Sequence, residues 1–130
     1  MSYKSKGINA ERELIHLFWK NEWTAVRVAG SGSQKYPSPD ILASNNLRKL
    51  AIETKISKSS YRHFSSKEIS ELKEFSERFG AESWIAIKFN RKGWFFLSLE
   101  DLKETEANYS ISLDIAERKG LAFSDLIETR

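Results

Sequence analysis

Hydrophobic residues recur with a helical period near the start of the chain. Over residues 9–20, Leu14, Ile15 and Phe18 fall on one side of a 3.6-residue turn. Asn9 precedes them and is a residue type that caps the free amides of a first helical turn. The pattern predicts an amphipathic helix over residues 9–20, with Asn9 as its cap.

A second helical period follows a polar stretch in the middle of the chain. Ser65 and Glu68 have the spacing of a capping box, and Gly80 stands where helices commonly end. We therefore expect a second helix between these signals. Its apolar stripe, which should be buried, consists of Ile69, Leu72, Phe75 and Phe79.

Five other stretches alternate in polarity or are apolar on both faces, which is typical of strands. They are separated by a loop rich in Gly, Ser and Pro at 30–39 and by a hairpin turn at Asn45-Asn46. The last two are apolar on both faces, so they belong in the middle of a covered sheet or at a subunit interface. The predicted strands are Thr24–Ala29, Ile41–Ser44, Leu47–Ile56, Trp84–Phe89 and Trp94–Leu99.

The remaining segments carry weaker patterns. Residues 57–66 read as a polar, basic connector, while residues 113–119 and 124–128 look helical. Helices interleaved with strands predict an α/β fold, in which a mixed central β-sheet is flanked by helices. At 130 residues the chain is long enough for one hydrophobic core and too short for two.

Composition narrows the class of protein. Hydrophobic residues make up 40% of the chain, which predicts a folded protein. The chain has no cysteine, which excludes disulfides and thiolate metal sites and fits a reducing compartment. We see no signal peptide and no apolar run near the ~20 residues that a membrane span needs. We expect a cytoplasmic protein with no membrane partner.

The net charge of +3 is unevenly distributed along the chain. Residues 23–67 hold eight basic residues and only two acids, whereas residues 100–130 hold eight acids and four bases. A basic segment of this kind fits contact with the phosphates of nucleic acid. Charge alone would equally describe a solvated face on which basic residues cluster by chance.

The two acids of the basic segment, Asp40 and Glu53, stand where a hairpin would bring them side by side. Glu53 and Lys55 share one face of the predicted strand, and Thr54 points to the other. Each feature has a simpler explanation, because Pro39-Asp40 is a common turn and Glu-x-Lys is ordinary in a half-exposed strand. Together they supply the groups for phosphodiester hydrolysis, since two carboxylates bind Mg²⁺ and a lysine stabilises developing charge.

Glu11 adds a third carboxylate. It lies on the apolar stripe of the first predicted helix, where an unpaired charge would be costly to bury. It therefore needs a partner such as a metal ion, a metal-bound water or a lysine. The simpler alternative is an acid placed in the first turn to favour the helix dipole.

In order and spacing, Pro39-Asp40 and Glu53-Thr54-Lys55 resemble the PD-(D/E)xK signature of restriction-endonuclease-like nucleases. Further segments are similar to the archaeal-type Holliday junction resolvases. These segments are Lys6–Leu14, Ala25–Ser33, Pro37–Ile41, Phe75–Gly80, Ala86–Phe89 and Gly93–Phe96. The resemblance implies a restriction-endonuclease-like core and one nuclease domain over 1–130. The catalytic core would span about 4–104, and an acidic, partly helical extension about 105–130.

The resemblance also implies the residues of the site. The catalytic set would be Glu11, Ser31, Asp40, Glu53 and Lys55. Mg²⁺, with Mn²⁺ as a substitute, would be bound by Glu11, Asp40, Glu53 and the backbone carbonyl of Thr54. Nucleic acid would be bound by Lys4, Lys6, Arg12, Arg27, Ser33, Lys35, Lys58 and Arg62. The implied enzyme is a homodimer that resolves four-way DNA junctions by paired, symmetric nicks, and the sequence names no further recombination or replication partner.

Two other functions stay open at this point. A sequence-specific or repair nuclease could use the same signature, although the chain shows no added recognition domain. The second is a junction-binding module without catalysis, against which the intact set of Asp40, Glu53 and Lys55 argues. For the dimer, the doubly apolar strand Trp94–Leu99 is the candidate contact.

Four ring-bearing side chains have less specific patterns. Tyr61 and Phe64 could stack on exposed bases of a junction, with packing in the core or a dimer as the alternative. His16 and His63 are too few and too far apart for a zinc site. His63 is better suited to touching a phosphate.

Overall fold

The structure, a computed structural model, describes residues 3–30 and 35–128. Its helices are α1 (Tyr3–Lys20), α2 (Ser66–Phe79), α3 (Leu113–Lys119) and α4 (Phe123–Glu128). Its strands are β1 (Thr24–Arg27), β2 (Ile41–Ser44), β3 (Lys49–Ser57), β4 (Tyr61–Ser65), β5 (Glu82–Phe89), β6 (Trp94–Leu97), β7 (Lys103–Glu104) and β8 (Asn108–Ser112). None of the described helices is long and apolar enough to span a membrane.

A mixed five-stranded sheet forms the centre of the molecule, in the order β1-β2-β3-β5-β6. β3 and β5 run parallel, and the other neighbouring strands run antiparallel. Parallel neighbours need a crossover connection, which β4 and α2 supply. α2 packs on one face of the sheet and α1 on the other. This arrangement confirms the predicted α/β class with a flanked mixed sheet.

Each face of the central sheet is covered by its own apolar cluster. Leu14 of α1 packs with Ile52 of β3 on one face. Ile69 and Leu72 of α2 pack with Ala51 of β3 on the other. Burial of a large apolar side chain contributes about 1.5–3 kcal/mol, so both helices are held firmly against the strand that carries Glu53 and Lys55.

The structure corrects the predicted start of the first helix and the predicted polar connector. α1 begins at Tyr3, so Asn9 lies inside the helix and is not its cap. The added first turns are mostly polar and gave no apolar period. The connector predicted at 57–66 contains β4, which pairs with β8, and β8 pairs with β7 in a second sheet. Phe64 and Ile111 are buried there, but polar neighbours conceal them in the sequence.

The C-terminal segment wraps around the outer edge of β6. Leu121 exchanges two backbone hydrogen bonds with Phe96. Ala116 of α3 is buried in one apolar cluster, and Leu126 of α4 is buried in the other. We therefore propose that residues 105–128 complete a single domain with the rest of the chain.

Arg48, in the β2–β3 turn, ties three distant parts of the fold together. Its guanidinium donates to both carboxylate oxygens of Glu82 at 2.8 Å and to the Leu126 carbonyl at 2.6 Å. It also lies over the Trp23 ring, 5.5 Å from the ring centroid. The hydrogen bonds from Arg48 lower the pKa of Glu82. This end of the sheet is therefore closed by a satisfied charge pair.

The strand Trp94–Leu99, which the sequence suggests as the dimer contact, is covered by its own chain. Trp94, Phe96 and Leu97 of β6 are buried, and the chain's own C-terminal helices cover them. Apolar surface is exposed at the end of α2 instead, where Phe79, predicted to be buried, is 48% exposed. The last turn of α2 reaches beyond β3 and β5 to lie beside β1 and β2, which it covers incompletely.

Candidate active site

Asp40 is held at the end of the β2–β3 hairpin by its own backbone. Its amide donates to the Ile52 carbonyl at 3.0 Å, and its carbonyl accepts from the Val28 amide at 2.8 Å. One carboxylate oxygen accepts from the Thr54 amide at 2.9 Å and from the Thr54 hydroxyl at 3.1 Å. The hairpin therefore places Asp40 beside the Glu53–Lys55 segment.

β3 directs its polar residues alternately to the two faces of the sheet. The Thr54 hydroxyl points toward α1, where its one proton is shared between Asp40 at 3.1 Å and Glu11 at 3.3 Å. Glu53 and Lys55 point toward α2, where Lys55 meets Glu68. This alternation is the one predicted for the strand, and it places carboxylates on both sides of Thr54.

The partner that the buried position of Glu11 requires is Arg27. The Arg27 Nε donates to Glu11 Oε1 at 2.7 Å, and the two side chains are only 28% and 17% exposed. Neither a lysine nor the dipole of the helix accounts for the position of this carboxylate. α1 and β1 are thus joined by an ion pair directly beside Asp40.

Two carboxylates of the site, Glu53 and Glu11, have raised pKa values. Burial raises the pKa of Glu53 to about 8, and repulsion from Asp40 is the next cause. Lys55 opposes that shift, while Glu68 and Glu11 add to it. Burial also raises the pKa of Glu11, followed by repulsion from Asp40. The site is therefore short of positive charge, which a bound cation would supply.

A cleft of about 400 Å³ opens above Glu53 and Lys55. It is lined by three lysines and four carboxylates, whose charges sum to −1 when all of them are ionised: Lys35, Lys55, Lys67, Asp40, Glu53, Glu68 and Glu71. A phosphate would be repelled by this charge alone, whereas a divalent cation would change it to +1. The charge of the cleft thus favours a metal ion and a phosphate together over either one alone.

The oxygen atoms around Asp40 form an incomplete ligand set. Within residues 3–30 and 35–128, no three His, Cys, Asp or Glu side chains are grouped closely enough to hold a metal ion. Glu11 is turned toward Arg27. The Thr54 amide reaches Asp40. Because the carbonyl and the amide of a strand residue point to the same side, the Thr54 carbonyl also faces this region and adds a third oxygen to those of Asp40 and Glu53. Hard oxygen donors of this kind suit Mg²⁺ and Mn²⁺.

The archaeal Holliday junction resolvase (Hjc) family model matches residues 2–130. The chain belongs to this family. It is 41% identical to the crossover junction endodeoxyribonuclease Hjc of Archaeoglobus fulgidus, over 94% of this chain and 95% of that protein. It is 32% identical to the enzyme of the same name from Sulfolobus acidocaldarius, over 98% and 90%.

The similarity extends to three dimensions. The solved structure of Archaeoglobus fulgidus Hjc, described as a Holliday junction resolvase from an archaeal hyperthermophile, matches with a TM-score of 0.87 at 38% identity. The match covers 92% of this chain and 97% of that chain. The predicted family, fold and nuclease class are therefore confirmed.

In this member of the family, the residues predicted to bind nucleic acid have different surroundings. Several are exposed, namely Lys6, Arg12, Lys35 and Lys58. Lys6 and Lys58 line a common cleft of about 240 Å³. Lys4 lies in the first turn of α1, and Ser31 and Ser33 lie outside the described residues.

Two of the predicted DNA-binding arginines are less accessible. Arg27 is committed to Glu11. Arg62 is half-buried, and its Nε has no hydrogen-bond partner in the part of the chain that the structure describes. Neither side chain is therefore a freely exposed phosphate ligand.

The four ring-bearing residues are also separated by their surroundings. Phe64 is 1% exposed and packs in the core, as the alternative interpretation predicted. Tyr61 is 50% exposed and stacks on His63, with 6.0 Å between ring centroids. His16 lies far away in sequence, on the exposed side of α1.

Sequence reasoning missed Lys67 and Glu68 as residues of the cleft. Both stand at the start of α2, and Glu68 was noticed only for its capping spacing. A local pattern shows that a residue can cap a helix, but it does not show what the side chain meets across the fold. The parallel register of β3 and β5 would have been needed to bring the start of α2 to Lys55.

Proposed function

We propose that this chain is a divalent-metal-dependent endonuclease that resolves four-way DNA junctions. Its relatives are named crossover junction endodeoxyribonucleases, and one solved structure is described as that of a Holliday junction resolvase. The observation that carries the proposal is the convergence of Asp40, Glu53 and Lys55 at the open end of the hairpin. A pair of carboxylates that lacks positive charge around it and stands beside a lysine is suited to metal-assisted phosphodiester hydrolysis. A binding module without catalysis would have no need to keep this unfavourable arrangement.

The residues present fit a metal ion. Asp40, Glu53 and the Thr54 carbonyl would hold Mg²⁺, with Mn²⁺ as the substitute. Glu11 would contribute through a water, because Arg27 already occupies one of its oxygens. When bound, the ion would lower the pKa of a water and polarise the phosphoryl oxygens.

The other side chains of the cleft bind and orient the DNA backbone. Lys55 is close enough to Glu53 to stabilise the charge that develops on the attacked phosphate. Lys35 and Lys67 line the mouth of the cleft, where they can neutralise neighbouring phosphates. Arg27 opposes the rise in the pKa of Glu11 and holds its carboxylate in place, which is a positioning role rather than direct phosphate binding.

A comparison of two DNA substrates tests the proposal. A labelled four-way junction and a linear duplex of matched sequence are incubated with the protein in Mg²⁺, in Mn²⁺ or in EDTA. We expect cleavage of the junction only, in either metal and not in EDTA. Equal cleavage of the duplex would favour the sequence-specific or repair nuclease, and binding without cleavage would favour the non-catalytic module.

We also propose that the working unit is a homodimer, because a four-way junction presents two equivalent strands for cutting. Two neighbouring apolar grooves support a contact surface, and both include the exposed Phe79. Val26 of β1 is 52% exposed in one groove, and Tyr36 is 70% exposed beside the other. A second copy could cover this surface by a closed two-fold contact. Such a contact would lie beside the catalytic cleft, because Tyr36 and Pro37 line both the cleft and one of the grooves.

Sedimentation tests the dimer. The wild type should sediment at about 30 kDa, twice the chain mass of 15.0 kDa. Phe79→Glu should sediment as a monomer, because it places a charge in the contact. The control Lys103→Glu lies at an exposed position outside both grooves and should remain dimeric. A mixture of wild type and Lys55→Ala should contain heterodimers that nick one strand. A monomeric wild type that makes paired cuts would contradict the dimer.

The cellular location follows from the proposed substrate. The enzyme must act in the compartment that holds the DNA it cuts. A chain without cysteine fits a reducing compartment. Both points support the expectation that the resolvase works in the cytoplasm.

A further inference from the structure

Glu68 stands at the start of α2 and forms only half of the expected capping box. The Ser65 hydroxyl accepts from the Glu68 amide at 3.0 Å, which caps the helix. In a complete box the glutamate side chain would return to the backbone of the cap residue. The Glu68 carboxylate instead lies 3.1 Å from the Nζ of Lys55.

The ammonium group of Lys55 therefore lies between two carboxylates, one nearer than the other. Its Nζ lies closer to Glu68 than to Glu53, at 3.1 Å against 3.8 Å. Lys55 is 19% exposed, and the Glu68 oxygen that faces it is buried. Among the described residues this oxygen accepts no hydrogen bond, so charge rather than hydrogen-bond geometry holds the ammonium group there. The main contact of the lysine in this cleft is thus with α2 and not with its neighbour on β3.

A lysine needs such a contact to act at a defined point. Its ammonium group sits on a flexible four-carbon chain and carries no fixed direction of its own. Catalytic groups that are displaced by about 1 Å can lose roughly a hundredfold in rate. Glu53 alone is a poor anchor, because the proposed metal would compete for its oxygens.

We propose that Glu68 is a positioning residue, which holds the ammonium group of Lys55 over the cleft while Glu53 binds the proposed metal ion. The inference rests on the proposed function of Lys55. It assigns to Glu68 neither a metal-binding nor a DNA-binding role, because its carboxylate is directed at the lysine. Two elements then contribute to the site: the hairpin carries the carboxylates, and α2 carries the residue that holds the lysine.

The test uses single-turnover cleavage of a labelled junction by the full-length protein. Glu68→Gln keeps the size of the side chain and removes its charge. We expect its cleavage rate constant to fall by about 10- to 100-fold. The dissociation constant for the junction in EDTA should stay equal or become lower, because a negative charge has left the cleft. The metal concentration for half-maximal rate should not change.

Three further variants separate positioning from a structural effect. Glu77→Gln removes the same charge from an exposed position on the same helix and should cleave at the wild-type rate. Glu68→Asp keeps the charge on a shorter side chain and should fall between wild type and Glu68→Gln. In a Lys55→Met background, Glu68→Gln should change the residual rate by less than about twofold, because residues that act through one another are not additive.

Several outcomes would overturn the inference. A wild-type rate for Glu68→Gln would do so, and so would an equal loss in the Lys55→Met background. A shift in the half-maximal metal concentration would make Glu68 a metal ligand instead. If Lys55→Met itself cleaves normally, the proposed function of Lys55 has failed; if Lys55→Met is inactive and Glu68→Gln is normal, only the role of Glu68 has failed.

Discussion

Glu82 and Glu53 lie on the two parallel strands of the central sheet, yet their surroundings have opposite effects. Glu82, at the start of β5, accepts two hydrogen bonds from Arg48 and a third from the Trp84 ring nitrogen. These bonds lower its pKa. Glu53, further along β3, is surrounded by carboxylates and buried, and its pKa is raised to about 8.

The difference separates a structural charge from a functional one. At Glu82 the fold supplies a cation, so ionisation stabilises the folded chain. At Glu53 the fold supplies more anions than cations, so ionisation destabilises it until a ligand arrives. Strongly shifted carboxylates are common at active sites for this reason. The raised pKa of Glu53 therefore supports the proposal that a metal ion binds beside it.

The largest expected effect is on catalysis. Asp40→Asn or Glu53→Gln should slow junction cleavage by about a thousandfold or more, because a bound metal supplies several kcal/mol to the transition state. Single-turnover assays measure the rate, and junction binding in EDTA should persist in both variants. Full activity in either one would show that the comparison has assigned the functional role to the wrong carboxylates.

The next effect concerns the satisfied pair. Arg48→Met should lower the free energy of unfolding by about 3 kcal/mol, because it leaves Glu82 without its cation and removes packing on Trp23. Urea unfolding measures the change. Cleavage per folded molecule should remain at the wild-type level, since Arg48 lies away from the cleft.

A matched control for Arg48→Met is available on the surface. Arg118→Met breaks an exposed ion pair with Asp114, whose atoms are 3.0 Å apart. It should cost less than about 0.5 kcal/mol. If both arginine variants lose the same free energy of unfolding, the pair between Arg48 and Glu82 stabilises the fold no more than an exposed ion pair does.

The two carboxylates should also tilt the stability of the metal-free protein in opposite directions with pH. The raised pKa of Glu53 means that unfolding releases a proton between about pH 4.5 and about pH 8, so stability falls as the pH rises through that window. The lowered pKa of Glu82 means that its contribution is present above about pH 4.5 and is lost as the pH falls below it.

Unfolding in EDTA at several pH values measures this effect. The decline between pH of about 5 and 8 should be of the order of 2 kcal/mol, since solvent and neighbouring ionisations screen part of the shift. Glu53→Gln should remove most of the decline and be more stable than wild type at pH of about 8. A flat wild-type profile would mean that Glu53 is not destabilised by its ionisation.

The smallest effect extends the comparison to DNA binding. Lys35 has no ion pair with another described residue, whereas Arg27 is paired with Glu11. Lys35→Ala should reduce the slope of log affinity against log salt by about 0.9, the value for one phosphate contact. Arg27→Ala should reduce it less, because the charge of Arg27 is already compensated. Fluorescence anisotropy in EDTA distinguishes the two, and equal slopes would count against the assignment.

Much of the β2–β3 hairpin, which carries Asp40 and Glu53, could be predicted because the sequence patterns that specify it are local. The turn at Asn45-Asn46 and the alternation of β3 place Asp40 beside Glu53 without knowledge of the rest of the fold. The end of α2 at Gly80 was equally readable, since its backbone adopts the left-handed conformation that glycine favours. The order of these residues also carried the resemblance to the resolvases.

The unpredicted features depend on contacts between distant residues. Arg27 and Glu11 lie on different elements, as do Arg48 and Glu82, and no periodic pattern links the members of such pairs. The doubly apolar β6 correctly predicted a covered strand. Its cover comes from α3 and α4, which follow it in the chain, and this cannot be distinguished in the sequence from cover by a second subunit.

The bond between Arg48 and the Leu126 carbonyl also constrains how the protein is made. The two residues are 78 positions apart. The β2–β3 hairpin and the parallel pairing of β5 can form as the chain emerges during synthesis, because they use earlier residues. The end of the sheet that Arg48 closes must wait for α4. A newly made chain therefore carries Asp40, Thr54 and Glu53 in place before Arg48 closes the fold, and folding ends at the side of the molecule opposite to the candidate site.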